Sequence, residues 1–84
     1  MVKLLYFAWL RERIGMGSED VDLPADINTV HDLIGWLSSR EERYAHAFKD
    51  VAALRVAIDQ EQAEMDASIK GAREIALFPP VTGG

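Results

Sequence analysis

Two apolar runs near opposite ends of the chain constrain its fold more than anything else in it. Residues 2–9, Val-Lys-Leu-Leu-Tyr-Phe-Ala-Trp, are almost unbroken in aliphatic and aromatic side chains, which suits a central strand rather than a surface one. Glu74-Ile75-Ala76-Leu77-Phe78 reads as a last strand and is stopped by Pro79, which has no N–H to give to a ladder. The expectation is that this last strand lies in the sheet interior, beside the first. At seven residues, the apolar stretch 4–10 falls far short of the roughly 20 needed to cross a membrane.

The segments between supply the rest of a sheet and one covering helix. Residues 10–14 suit a short turn of helix, and the glycines of Gly15-Met16-Gly17-Ser18 suit a loop. Residues 19–23 alternate acidic and apolar, as a half-exposed strand paired with the first would. Thr29 is a good helix N-cap with Asp32 three residues on. Val30, Leu33, Ile34 and Leu37 then fall at the 3, 4 and 7 spacing of one buried stripe, with Gly35 and Trp36 off it or at its edge. Ser38-Ser39 weakens that helix, and residues 41–48 predict a second short helical segment covering apolar surface with Tyr44, Ala45, Ala47 and Phe48. Residues 54–58 alternate as a strand, Asp59-Gln60 makes a tight turn, and 61–65 form a poorly apolar edge strand before a turn at Lys70-Gly71. The strand and main-helix order is β-β-α-β-β-β, an α+β arrangement with a mixed sheet crossed by a helix.

Composition narrows the function classes. With 84 residues the chain predicts one domain, 1–84, able to bury roughly 60% of its unfolded surface without staples. There is no cysteine, so this chain offers no thiol nucleophile, disulfide or thiolate metal site. His31 and His46 are fifteen positions apart without ligand spacing and read as solvated helix positions, so no metal is expected. Arg40, Glu41, Glu42 and Arg43 read as a solvated helix face, and Arg11 with Glu12 as either a local pair or a partner contact. The net charge of −5 without a Lys/Arg cluster argues against nucleic acid. With neither a secretory signal nor a span, the expectation is a cytoplasmic chain with no membrane partner.

The sequence closes on Phe78-Pro79-Pro80-Val81-Thr82-Gly83-Gly84. Two prolines favour an extended path, so residues 79–84 are expected to form a flexible tail reaching about 20 Å from the body. Gly83 and Gly84 remove every β-carbon from the tip, a requirement where channel walls approach the backbone on both sides. What such a tip delivers is the Gly84 carboxylate. With a reference pKa of about 3.3–3.7 it is ionised at neutral pH and resists nucleophiles until activated. This chain carries no G-x-x-x-x-G-K phosphate loop and no thiol, so activation of that carboxylate would depend on partners.

The ending Ala76-Leu77-Phe78-Pro79-Pro80-Val81-Thr82-Gly83-Gly84, together with Tyr6-Phe7-Ala8 followed by Arg11-Glu12, closely resembles the small, sulfur-carrying subunits of molybdopterin synthase, and the resemblance spans the chain. It implies the ubiquitin-like β-grasp fold and a place in a heterotetrameric synthase. It further implies that a ubiquitin-activating-type enzyme adenylates Gly84 with ATP, that a sulfurtransferase or cysteine desulfurase supplies sulfur for a thiocarboxylate, and that a large catalytic subunit receives the tail. There the sulfur passes to a cyclic pyranopterin precursor. By position, Gly84 carries the reacting group, Gly83, Thr82, Val81, Pro80 and Pro79 insert as the tail, and Phe7 and Phe78 contact partners. No cofactor is implied in the chain itself. Two departures stand out: Gly71-Ala72-Arg73-Glu74 replaces a Gly-Asp-Glu turn, and Gln62 falls where an apolar contact residue is expected. A sulfur carrier for thiamine-type synthesis, a ubiquitin-like protein modifier and a noncatalytic interaction module with an incidental tail are the alternative readings.

Overall fold

The computed structural model describes residues 1–50 and 53–80. Among them five strands and three helices follow the order β1 (Val2–Tyr6), α1 (Ala8–Ile14), β2 (Ser18–Val21), α2 (Val30–Arg40), α3 (Glu42–Ala47), β3 (Arg55–Ile58), β4 (Glu61–Ala63) and β5 (Glu74–Phe78). The sheet order is β2-β1-β5-β3-β4. β5 is therefore central and parallel to β1, Leu4 lying opposite Ile75 and Tyr6 opposite Leu77, while its other neighbour β3 is antiparallel. This is the α+β, β-grasp arrangement, with the strand order expected from the sequence.

Burial divides the sheet cleanly. Val2, Leu4 and Tyr6 of β1, Ile75 and Leu77 of β5, Val56 of β3 and Val21 of β2 all point to one side and are at most 5% exposed. There they join Leu10 and Ile14 of α1, the four-residue stripe of α2, and Tyr44, Ala47 and Phe48. Burying one such aliphatic or aromatic side chain contributes about 1.5–3 kcal/mol, so the helix-covered side carries most of the stability. Ala45, expected to cover apolar surface, is instead exposed, because it lies off the Tyr44–Ala47–Phe48 face.

Local chemistry sets the element ends. α2 starts with a capping box in which Thr29 Oγ1 accepts from the Asp32 N–H at 3.1 Å and Asp32 Oδ2 accepts from the Thr29 N–H at 3.2 Å. The Asn28 N–H also donates to that carboxylate at 3.1 Å and, with Thr29, holds it below the usual aspartate range. Ser38-Ser39 does not interrupt α2, which runs to Arg40 while Ser39 Oγ donates to the Trp36 carbonyl at 2.8 Å. α1 ends at Gly15, whose φ of 92° needs no β-carbon and whose N–H returns to the Arg11 carbonyl. Asp59 and Gln60, with φ of 49° and 73°, make the two-residue β3–β4 turn with the left-handed pair such hairpins require. β4 stops at Ala63 rather than 65, since the chain turns at once with the Ala67 N–H on the Glu64 carbonyl.

A polar knot closes one end of the core. Tyr6 and Tyr44 are 1% and 0% exposed, and both hydroxyls donate to the same oxygen, Glu19 Oε2, the Tyr6 bond being 2.7 Å. Arg43 lies over the Tyr44 ring at 5.0 Å and donates to the Ile14 carbonyl. One carboxylate thus ties β1, β2 and α3 together. Burial first, then the Glu19 hydrogen bond, raises both phenols, that of Tyr44 to about 12. Their un-ionised forms are favoured in the folded chain, so this contribution is complete below about pH 10 and is lost as pH climbs towards 12 and beyond.

These are the only two tyrosines of the chain. Tyrosinate absorbance is therefore expected to stay nearly silent at pH 10.5 and to rise only with unfolding, as circular dichroism is lost. A normal phenol titration centred near pH 10 with the fold intact would contradict the knot. Tyr44→Phe is expected to cost about 1–2 kcal/mol in urea unfolding, by removing a donor from a half-buried carboxylate.

Candidate functional site

The other side of the sheet has no covering helix among the described residues. Because successive side chains alternate, Lys3, Leu5 and Phe7 share this side with Glu74, Ala76 and Phe78, and with Arg55 and Ala57. Pairing aligns them into rows. The middle row runs Ser18, Leu5, Ala76, Ala57, Gln62 across all five strands. One row beyond, Phe78 faces Arg55, and Phe7 comes level with Phe78 one step past the Tyr6–Leu77 pair, its N–H on the Leu77 carbonyl at 3.2 Å. The opposite end is charged, Lys3 standing between Asp20 and Glu74.

The two aromatics expected as partner contacts are thus neighbours at one end of an uncovered, largely apolar face. Phe7 is 48% exposed, the largest exposed hydrophobic side chain apart from the Met1 terminus among the described residues, and Phe78 is half-buried. Neither belongs to the buried core cluster, nor do Leu5, Ala57 and Ala76. Tyr6 and Leu77 take the inward positions, so alternation settles which member of each adjacent pair faces out. An aromatic side chain left half in water does little for the fold and is suited to being buried by something else.

The chain leaves this end directly into the tail. Pro79 and Pro80 follow β5 and are half-buried; Val81, Thr82, Gly83 and Gly84, expected as the inserting and reacting tip, lie outside the described residues. Because β5 is the central strand, whatever covers Phe7 and Phe78 is already beside the root of that tail. Gln62 sits on the edge strand β4, exposed, at the far end of the middle row. A polar side chain there borders the apolar patch without interrupting it. The Gly71-Ala72-Arg73-Glu74 turn is held by Asp59, whose Oδ1 accepts from the Arg73 and Glu74 N–H groups at 2.9 and 3.0 Å. A carboxylate from another hairpin therefore stabilises this turn.

Over residues 4–84 the sequence matches the ThiS family. The chain belongs to the ThiS family. Among relatives of this ThiS-family chain, the molybdopterin synthase sulfur carrier subunit of Escherichia coli strain K12 is 37% identical over 84 residues, covering 100% of both chains. Among solved structures, a putative molybdopterin converting factor subunit 1 from Pyrococcus furiosus superposes with TM-score 0.73 at 29% identity, covering 95% of this chain and 97% of that one. SAMP1 from Haloferax volcanii superposes with TM-score 0.72 at 27% identity, covering 99% and 98%.

Three features carry no clear sequence signal. Ala8 begins α1 with φ 55°, a left-handed conformation that costs a non-glycine residue about 1–2 kcal/mol. Glu19 read as one acid of an alternating strand rather than the acceptor for two buried phenols. Asp59 read as a turn residue rather than an anchor for the approach to β5. His31 and His46 are exposed, and no group of three potential metal ligands assembles among the described residues.

The half-buried position of Phe78 makes its substitution diagnostic. Phe78→Ala is expected to lower unfolding stability by about 1–2 kcal/mol, well under the 3–5 kcal/mol of a fully buried phenylalanine. A urea titration showing a loss in the larger range would assign the ring to the core.

Proposed function

We propose that this chain is a sulfur carrier for molybdopterin synthesis, presenting its Gly84 carboxylate to partner enzymes and docking on a large catalytic subunit through the open sheet face. The observation that carries this is the end-to-end match to a molybdopterin synthase sulfur carrier subunit, joined to an uncovered aromatic end of the sheet that leads straight into Pro79-Pro80.

The chemistry follows from what the chain lacks. Its carboxylate attacks the α-phosphorus of ATP on an adenylating enzyme, pyrophosphate departs, and the carbonyl becomes electrophilic. The terminal persulfide sulfur of a donor protein then attacks that carbon and AMP leaves, and a thiol of the donor or a partner cleaves the resulting acyl disulfide, releasing the thiocarboxylate and leaving a disulfide on the donor side. In the large subunit the sulfur passes to the pyranopterin precursor, and water restores the carboxylate. Apart from the Gly84 carboxylate and the thiocarboxylate it becomes, every nucleophile and phosphate-binding group in these steps belongs to a partner, consistent with a chain that has no cysteine. The tail's share is reach and slenderness: Pro79 and Pro80 stiffen the stem, Val81 and Thr82 continue it, and Gly83 lets the tip pass where a side chain would collide. Leu5, Ala57 and Ala76 offer the partner a shallow floor beside the two rings.

Incubation with the activating enzyme, ATP and a sulfur donor is expected to add the mass difference between sulfur and oxygen, read by intact-mass spectrometry, and the product is expected to convert the precursor in the presence of the large subunit. An unchanged mass overturns the carrier role; a thiocarboxylate that the large subunit ignores, but that a thiazole synthase or a protein lysine accepts, overturns the acceptor. Deleting Gly84 moves the reacting group by about 3.5 Å and is expected to abolish transfer with circular dichroism unchanged. Gly83→Ala is expected to leave unfolding unaltered while adenylation falls at least tenfold, about 1.4 kcal/mol in the barrier; equal adenylation rates would show that no narrow channel exists.

A further inference from the structure

The chain leaves the line of β1 at a residue ill suited to the turn. Phe7 is still extended, with φ −121° and ψ 157°, and its N–H and carbonyl are both committed, to the Leu77 carbonyl and the Leu10 N–H, each at 3.2 Å. Three residues later Leu10 is fully buried on the opposite side of the sheet, followed by Ile14. The chain must therefore cross from the line of β1 to the helical layer within a single joint. That joint is Ala8, at φ 55°. Elsewhere the chain meets such a requirement with glycine, at Gly15 and Gly71, or with the polar turn pair Asp59-Gln60.

The Ala8 methyl does not repay its strain by packing. Ala8 is exposed and lies outside both the core cluster and the residues packed against it. What a methyl does at a left-handed position is restrict the alternatives: glycine there samples both signs of φ, whereas alanine, once the flanking hydrogen bonds and the burial of Leu10 impose φ > 0, has few other states nearby. The residue whose orientation this governs most directly is Phe7, the exposed ring one bond upstream.

We infer that Ala8 is a positioning residue: its strained backbone locks Phe7 outward on the open face, pre-arranging the ring for the partner. This rests on the docking role given to Phe7 above. A rigidly held anchor loses less rotational freedom when a partner covers it, so the benefit appears in affinity and not in the fold.

The test is a double-mutant cycle with the cognate large subunit, using the full chain. Ala8→Gly is expected to keep or raise the unfolding midpoint while weakening binding about three- to tenfold. In the isolated chain it is expected to speed hydrogen exchange of the Phe7 N–H several-fold. In a Phe7→Ala background the same substitution is expected to leave affinity unchanged, since the ring it positions is gone. An Ala8→Gly chain that binds as tightly as the parent, while Phe7→Ala binds weakly, overturns the positioning role and leaves the docking face standing. Equal weakening by Ala8→Gly with and without the Phe7 ring also overturns it, because Ala8 would then act through something else. If Phe7→Ala binds like the parent, the docking role of Phe7 and the inference fall together.

Discussion

The parallel pairing of β1 with β5 is the contact on which the remaining structure depends. It joins segments some seventy residues apart, and Leu4, Tyr6, Ile75 and Leu77, the inward residues of the two strands, are all at most 1% exposed. Parallel strands cannot be joined by a tight turn, so everything between them serves as a crossover that must return the chain to the same face. α2 does this with its capped start and single apolar stripe; β3 and β4 then extend the sheet on the far side of β5. The same pairing sets Phe7 beside Phe78. The exposed pair of rings is thus a by-product of the register that builds the core.

Much of this was legible in the sequence because the signals were local. The Thr29–Asp32 cap, the stripe of α2, the Asp59-Gln60 turn and the stop at Pro79 each appear where the residue pattern places them. The first strand overran, read as 2–9 where β1 ends at Tyr6, because Phe7, Ala8 and Trp9 continue the apolar composition while the backbone has already turned. Composition reports what is buried or adhesive; it does not report the sign of φ at Ala8. Ser38-Ser39 was read as a weakness that helix packing overrides.

The site was legible in a different way. Alternation alone required that one of Tyr6/Phe7 and one of Leu77/Phe78 face outward, but only the register shows that the two outward rings are the two phenylalanines and that they meet. The inward members have reasons to be inside: Tyr6 needs Glu19 as acceptor, and Leu77 completes the aliphatic packing opposite it. A tyrosine buried with its hydroxyl satisfied is stable in a place where an unpaired one would cost about 1–3 kcal/mol. Glu19, on β2 two strands away from β5, thereby helps to hold Tyr6 inward.

The open face is also graded along the strands. At the tail end stand Phe7 and Phe78, with Arg55 at their side; in the middle Leu5, Ala76 and Ala57 leave it shallow; at the far end Lys3 lies between Asp20 and Glu74. A partner docked as proposed would meet large apolar rings at one end and mixed charge at the other, so a docking rotated by half a turn would set those charges against whatever receives the rings. Uncompensated burial of a charge is far more costly than an ordinary apolar mismatch. For the docking proposed above, the gradient would therefore bear on orientation as well as adhesion. For the carrier role proposed above, with its reacting atom at the end of the tail, orientation would matter more than affinity, because a tightly bound chain facing the wrong way would deliver nothing.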